Sequence, residues 1–242
     1  YFLYSNTLKQ TTDGNFVAVG EKWDSLYKIF MAKIDTAGNV LMLREYSYPN
    51  VNILQAHDVV EIPNKGYMIA VNAHIISPSN SQVLLFRTDT SGFVLNTQAH
   101  DLSYSELPWI IRPTLNGNFM IGAVTTNSNT NWAKTWLLEV DSMGNYVNQW
   151  IDNSFKNYYP LGMQQTADSG WIIVRQHIAI DVGGQQGYNA SVLKLDKNFN
   201  KQWEMFRGDS DVYTGLYDIE ILPDGKYIAC GTTPTLGHDS AY

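Results

Sequence analysis

Across 242 residues the chain is 44% hydrophobic, 13% aromatic and only 16% charged, which excludes a disordered chain and suits half-buried pleated strands better than a helical bundle. The formal net charge of −7 and singly scattered Lys and Arg exclude the clustered basic surface that nucleic acid requires. No apolar run approaches the ~20 residues of a membrane-crossing helix, so the expected partner is a protein or a glycan, and no cofactor is implied.

Taken in chain order, the predicted elements repeat. The first copy turns at Asp13-Gly-Asn-Phe16, runs through Phe30-Met-Ala-Lys-Ile34 and turns again at Asp35-Thr-Ala-Gly38. The second turns at Asn64-Lys-Gly-Tyr67 and Asp89-Thr-Ser-Gly92, the third at Asn116-Gly-Asn-Phe119 and Asp141-Ser-Met-Gly144. A fourth has Asp168-Ser-Gly-Trp171 and Asp196-Lys-Asn-Phe199, with Phe199 where the others carry Gly, so its second turn is expected to differ in detail. The fifth begins at Asp224-Gly-Lys-Tyr227. The turn aromatics lie 51, 52, 52 and 56 residues apart.

Polar Asn/Asp/Gly turns between apolar runs are hairpin signals, because Gly and Asn tolerate positive φ. Each copy therefore reads as four strands, A to D, with tight A–B and C–D turns and a longer B–C loop. Such a repeat predicts a β-propeller of four-stranded antiparallel blades forming one domain over residues 1–242. The blades fall at about 4–50, 55–102, 107–152, 159–207 and an incomplete 215–242. Four complete blades and half of a fifth predict a native chain that continues past Tyr242, because an open propeller exposes strand edges. The one cysteine, Cys230, falls in an apolar stretch and is expected to be a small buried hydrophobe.

The string Leu8-Lys-Gln-Thr-Thr-Asp-Gly-Asn-Phe-Val-Ala-Val-Gly20, with Phe30 to Asn39, resembles the tandem propeller repeats of secreted and surface-attached bacterial proteins, which often end in a type IX secretion sorting domain. That resemblance implies an extracellular or cell-surface location.

In a propeller the D–A and B–C connections share one face, and here they are aromatic. Trp23, Trp109, Trp132, Tyr159 and Tyr213, with His74 and His177 at the ends of strand B, form the expected ligand-binding set for a sugar or protein surface. A metal site needs three or four converging ligands, and the five histidines are spread along the chain, so no metal is assigned. The expected function is a non-catalytic binding or assembly module. The alternative is a glycoside hydrolase-like enzyme whose acid and nucleophile or base are Asp58 and Asp218, at equivalent places in strand A, with Glu61, Glu220 and Arg112 nearby in sequence. The repeated turn aspartates are expected to bond their own backbone two residues on.

Overall fold

The computed structural model describes residues 2–23, 27–77, 80–102, 104–127, 132–152, 154, 157–180, 186–207 and 214–232. These residues form β-strands without a helix, and within each sheet every strand pairs antiparallel with its neighbours in chain order. The first sheet holds β1 (Phe2–Gln10), β2 (Phe16–Trp23), β3 (Tyr27–Ile34) and β4 (Val40–Tyr46). The second holds β5 (Val51–Ile62), β6 (Gly66–Ile75), β7 (Asn80–Thr88) and β8 (Val94–His100). The third holds β9 (Ser105–Pro113), β10 (Phe119–Asn127), β11 (Trp132–Val140) and β12 (Tyr146–Ile151). In the fourth are β13 (Tyr158–Gln165), β14 (Trp171–Ile180), β15 (Gln186–Leu195) and β16 (Lys201–Arg207), and β17 (Gly215–Ile221) and β18 (Tyr227–Thr232) make a two-stranded sheet.

The chain divides into two compact units, Tyr1–Trp132 with Trp136–Ile151, and Ala133–Thr135 with Asp152–Tyr242. In the first unit the second sheet is covered on both faces. Alternate residues of a strand point to opposite faces, and β6 uses both: Tyr67, Ile69, Val71 and Ala73 join Val17, Val19, Ile29 and Met31 of the first sheet. Met68 and Ala70 join Ile121, Ala123, Trp136 and Leu138 of the third. That two-sided burial explains why β6 reads as a continuous apolar run rather than an alternation. In the second unit Ile172, Val174 and Val192 pack with Ile219 of β17.

Strand D of the first sheet, and that of the second, is stitched to the next sheet's C–D turn. The Tyr46 hydroxyl donates to the Gly92 carbonyl at 2.9 Å and Arg44 Nε to the Ser91 carbonyl at 3.1 Å. One sheet on, Asn96 Nδ2 donates to the Met143 carbonyl at 2.9 Å, and His100 Nε2 lies 2.9 Å from the Gly144 carbonyl. A Cβ at Gly92 would stand 2.8 Å from Arg44 Cγ, and its φ is +79°, so both the turn and the docking need glycine there.

The fourth C–D turn corrects the expectation that it differs. Phe199 adopts φ 62°, and its amide donates to the Asp196 carbonyl at 3.0 Å, as Gly144 does to Asp141. The turn survives because Asp196 closes it: Oδ1 accepts the Asn198 and Asn200 amides at 2.8 Å each, and Oδ2 accepts Asn200 Nδ2 at 3.0 Å. Asp35 and Asp141 make the same three bonds, and Asp89 accepts the amides of Ser91 and Phe93 at 2.9 Å, so these aspartates cap their own turns. A left-handed φ at a bulky residue costs roughly 1–2 kcal/mol. Phe199→Gly is therefore expected to raise stability by about 0.5–1 kcal/mol, the gain being tempered by the freer unfolded chain. A urea midpoint that falls in the variant counts against this account.

Cys230 is a second correction: it is exposed. All six residues of β18 are exposed; among the described residues β18 pairs only with β17.

Candidate functional site

A β-bulge recurs at one place in strand A of every sheet. Ten residues before each turn aromatic an extra residue interrupts the register: Asn6, His57, Trp109, Leu161 and Tyr217. Such a residue bends the strand and re-aims the side chains around it. The next residue in each copy is Thr7, Asp58, Ile110, Gly162 or Asp218.

Asp58 is 3% exposed and holds strand A of three sheets together. Its Oδ1 accepts the Thr7 hydroxyl at 3.1 Å and the Val59 amide at 2.9 Å. Its Oδ2 accepts the Ile111 amide at 3.1 Å and Arg112 Nη1 at 2.7 Å, and Lys9 Nζ lies 3.7 Å from Oδ1. Both oxygens thus carry two donors, the full complement for hydrogen bonds to a carboxylate. The buried negative charge is matched by Arg112 and Lys9, as a charge out of water requires.

Beside Asp58 the bulge residues of the first unit form a row. Asn6 Nδ2 donates to the Ala56 carbonyl at 2.7 Å and to Glu21 Oε1 at 3.3 Å. The His57 ring meets the half-buried Trp109 ring edge-on, with centroids 5.6 Å apart. Burial pushes the His57 imidazole down to about 4, against the pull of the Glu21 and Asp58 charges, so the ring is neutral at neutral pH. Stability from this neutral ring is present above its unfolded value of 6.5 and is lost as pH falls through about 4. Its Nε2 is buried and makes no hydrogen bond among the described residues. The row therefore presents an aromatic face, a neutral imidazole, an amide and a carboxylate.

The other expected residues are placed as follows. Glu61 accepts the Thr12 amide at 2.7 Å and its hydroxyl at 3.0 Å, and His74 Nδ1 is 3.1 Å from Ser81 Oγ. Trp23 and Trp132 sit at the end of β2 and the start of β11; their side chains, and all of Tyr213, lie outside the described residues. In the second unit Asp218 Oδ1 accepts the Ile219 amide at 2.9 Å and lies against Gly162, where a Cβ would come within 2.9 Å of that oxygen. Gln164 Nε2 donates to Glu220. Tyr159 is half-buried on β13.

His177 is 6% exposed, with Tyr158 and Phe206 rings at 5.4 and 5.9 Å. This member of the expected ligand-binding set is thus packed against two aromatic rings.

Two polar clusters have no counterpart in the sequence reading. Arg175, 1% exposed, pairs with Asp152 and Glu204 and lies over the Tyr158 ring at 3.8 Å. Glu106, fully buried, accepts the Thr125 hydroxyl at 3.1 Å. The signal that finds both is comparison of repeat copies, since each places a charged residue where a sister copy has an apolar one. Among the described residues no group of three or more His, Cys, Asp or Glu is arranged to hold a metal, and no helix is long and apolar enough to cross a membrane. Compared with known proteins, the chain matches no family model and no curated protein.

Proposed function

We propose that the five sheets are blades of a β-propeller, and that the chain is a non-catalytic binding or assembly module of a secreted or surface-attached bacterial protein. Stacking of the second sheet between the first and third, with a repeated A-strand bulge, supports the propeller reading. The observation that carries the functional reading is the use of Asp58. The carboxylate best placed for chemistry is filled by donors from three sheets, whereas the adjacent bulges present Trp109 and a neutral His57. A neutral polar group beside an indole suits a sugar ring, with Asn6 and Glu21 supplying hydroxyl partners, or an amide-rich protein surface.

The test is a glycan array and a pull-down from bacterial outer membranes with wild-type protein and Trp109→Ala. Binding should weaken about tenfold or more in the variant, as loss of a central aromatic contact does, while the melting temperature stays near wild type. No binding by the wild type in either assay sinks the proposal. Polysaccharide turnover that disappears in Asp218→Asn points instead to the carbohydrate-active alternative.

A further inference from the structure

Strands B and C of the fourth sheet are polar at a place where those of the second are apolar. Four residues after the turn aromatic, strand B meets strand C as Val71 with Leu84 in the second sheet and as Arg175 with Ser191 in the fourth. Two residues on, His177 meets Asn189. Directly opposed residues share a face of the sheet, and so do residues two apart along a strand. Arg175, Ser191 and Asn189 therefore stand on one face of the fourth sheet. Val71 and Leu84 are fully buried, and so are Ser191, at 0% exposed, and Arg175, at 1%. Serine is smaller than leucine and brings a hydroxyl, which burial obliges to find a hydrogen-bond partner.

Three polar atoms on this face, Arg175 Nε, Ser191 Oγ and Asn189 Oδ1, are buried and make no hydrogen bond among the described residues. The guanidinium is not free to turn and find a partner for Nε. Its Nη1 is held by Asp152, its Nη2 by Glu204, and its plane by the Tyr158 ring at 3.8 Å. Opposed residues of an antiparallel pair have Cβ atoms about 4.5–5.5 Å apart, and diagonal neighbours are not much further. One molecule of a single heavy atom can therefore bridge the three. Their chemistry selects it: Nε–H only donates, Oδ1 only accepts, and the hydroxyl does either. An anion would face Asn189 Oδ1 and the two carboxylates, and a cation would face the guanidinium. Water satisfies all three, and three is the usual number of partners for a buried water.

We propose that β14 and β15 hold a resident water molecule, which accepts from Arg175 Nε–H and donates to Asn189 Oδ1 and Ser191 Oγ. The water gives Nε–H the partner that burial demands and keeps the guanidinium fork aimed at Asp152 and Glu204. It also accounts for a serine at the place where the second sheet is filled by Leu84. The site belongs to the interior of the fourth sheet and does not depend on the function proposed above.

Oxygen-17 magnetic relaxation dispersion, which counts water molecules held inside a protein for longer than its tumbling time, tests this on wild type and Ser191→Val. The valine removes the hydroxyl and fills the space beside Arg175 Nε, so the dispersion amplitude should fall by the share of one water. An equal amplitude in wild type and a folded Ser191→Val overturns the site. A high-resolution crystal structure of the wild type carries the test even if the valine variant does not fold. It should show an oxygen-sized peak within about 2.7–3.2 Å of Arg175 Nε, Ser191 Oγ and Asn189 Oδ1. A direct bond from Arg175 Nε to Ser191 Oγ, with no density between the strands, overturns the proposal. So does a peak that scatters anomalously in crystals grown with bromide, because it is then an anion.

Discussion

Arg175→Ala is expected to destabilise the protein by about 3–5 kcal/mol, the loss that follows when one partner of a buried ion pair is removed and the other stays. The guanidinium is 1% exposed and serves two acids at once: Nη1 reaches Asp152, Nη2 reaches Glu204, whose side chain is 8% exposed, and the Tyr158 ring lies 3.8 Å beneath. Truncation leaves both carboxylates with water largely excluded and strips the ring of its cation. Against a typical total of about 5–15 kcal/mol, such a loss places the variant near unfolding at 37 °C. Arg175→Lys keeps the charge but not the fork, and one ammonium cannot serve two acids on opposite branches with the same geometry, so it should recover less than half of the loss. A triple variant, Arg175→Met with Asp152→Asn and Glu204→Gln, removes all three charges and should recover most of it. Urea unfolding at constant slope reads these differences as shifts in midpoint. If Arg175→Ala costs under about 1 kcal/mol, the cluster is a surface pair in effect, with the value such pairs have. The same cluster gives an acid limb. Burial pushes the Asp152 carboxyl up, but the Ser154 amide and Arg175 outweigh it and hold it below its ordinary 3.8. Stability from this group is therefore present above 3.8 and is lost as pH falls below it.

What the sequence made legible is what is decided locally. Gly, Asn and Asp choose turns within four residues, so the two turn positions, the strand order and the fifty-residue period all read directly from the chain. Even the departure at Phe199 is local in its remedy: Asp196 and Asn200 close the turn, and the backbone accepts φ 62° at a bulky residue, a cost not legible from the missing Gly alone. Non-local placement is where the reading stopped. His177 looks like a strand-end residue, yet it is buried because Tyr158 and Phe206 arrive from two other strands. Cys230 sits among apolar residues and is exposed, because burial needs a neighbouring surface and not an apolar stretch. Trp109 reads as an aromatic of the expected binding set, but its His57 neighbour lies 52 residues away, and nothing local in the chain joins the two. The equivalence of bulge positions is in the sequence once the register is known, since each lies ten residues before its turn aromatic; without the register nothing marks them.

Asp58 shows the same lesson with a measurable consequence, because its partners are Thr7, 51 residues before it, and Arg112, 54 residues after it. Asp58→Ala is expected to cost about 3–4 kcal/mol, since it strands the Ile111 and Val59 amides and leaves Arg112 half-buried without its acid. Asp58→Asn separates a scaffold role from a catalytic one more sharply. An amide has one oxygen and one donor group, whereas each carboxylate oxygen here meets two donors, one of them a backbone amide. With its oxygen toward Ile111 and Arg112, the amide nitrogen faces the Thr7 hydroxyl, which can reverse and accept, and the Val59 N–H, which cannot. One buried donor is lost in that orientation, and with the flip reversed both the Ile111 N–H and the Arg112 guanidinium are lost. The first orientation should prevail, with a cost of about 2 kcal/mol. A stability ladder of wild type, Asn and Ala, measured by urea midpoint, should therefore be graded. Thr7→Val, which deletes only the hydroxyl donor, should cost about 1 kcal/mol and lose part of that cost in the Asp58→Asn background, because the two residues are coupled. Equal stability of wild type and Asp58→Asn would mean that the carboxylate is not needed as a four-donor acceptor. That result would free Asp58 for the chemistry that its place on strand A first suggested.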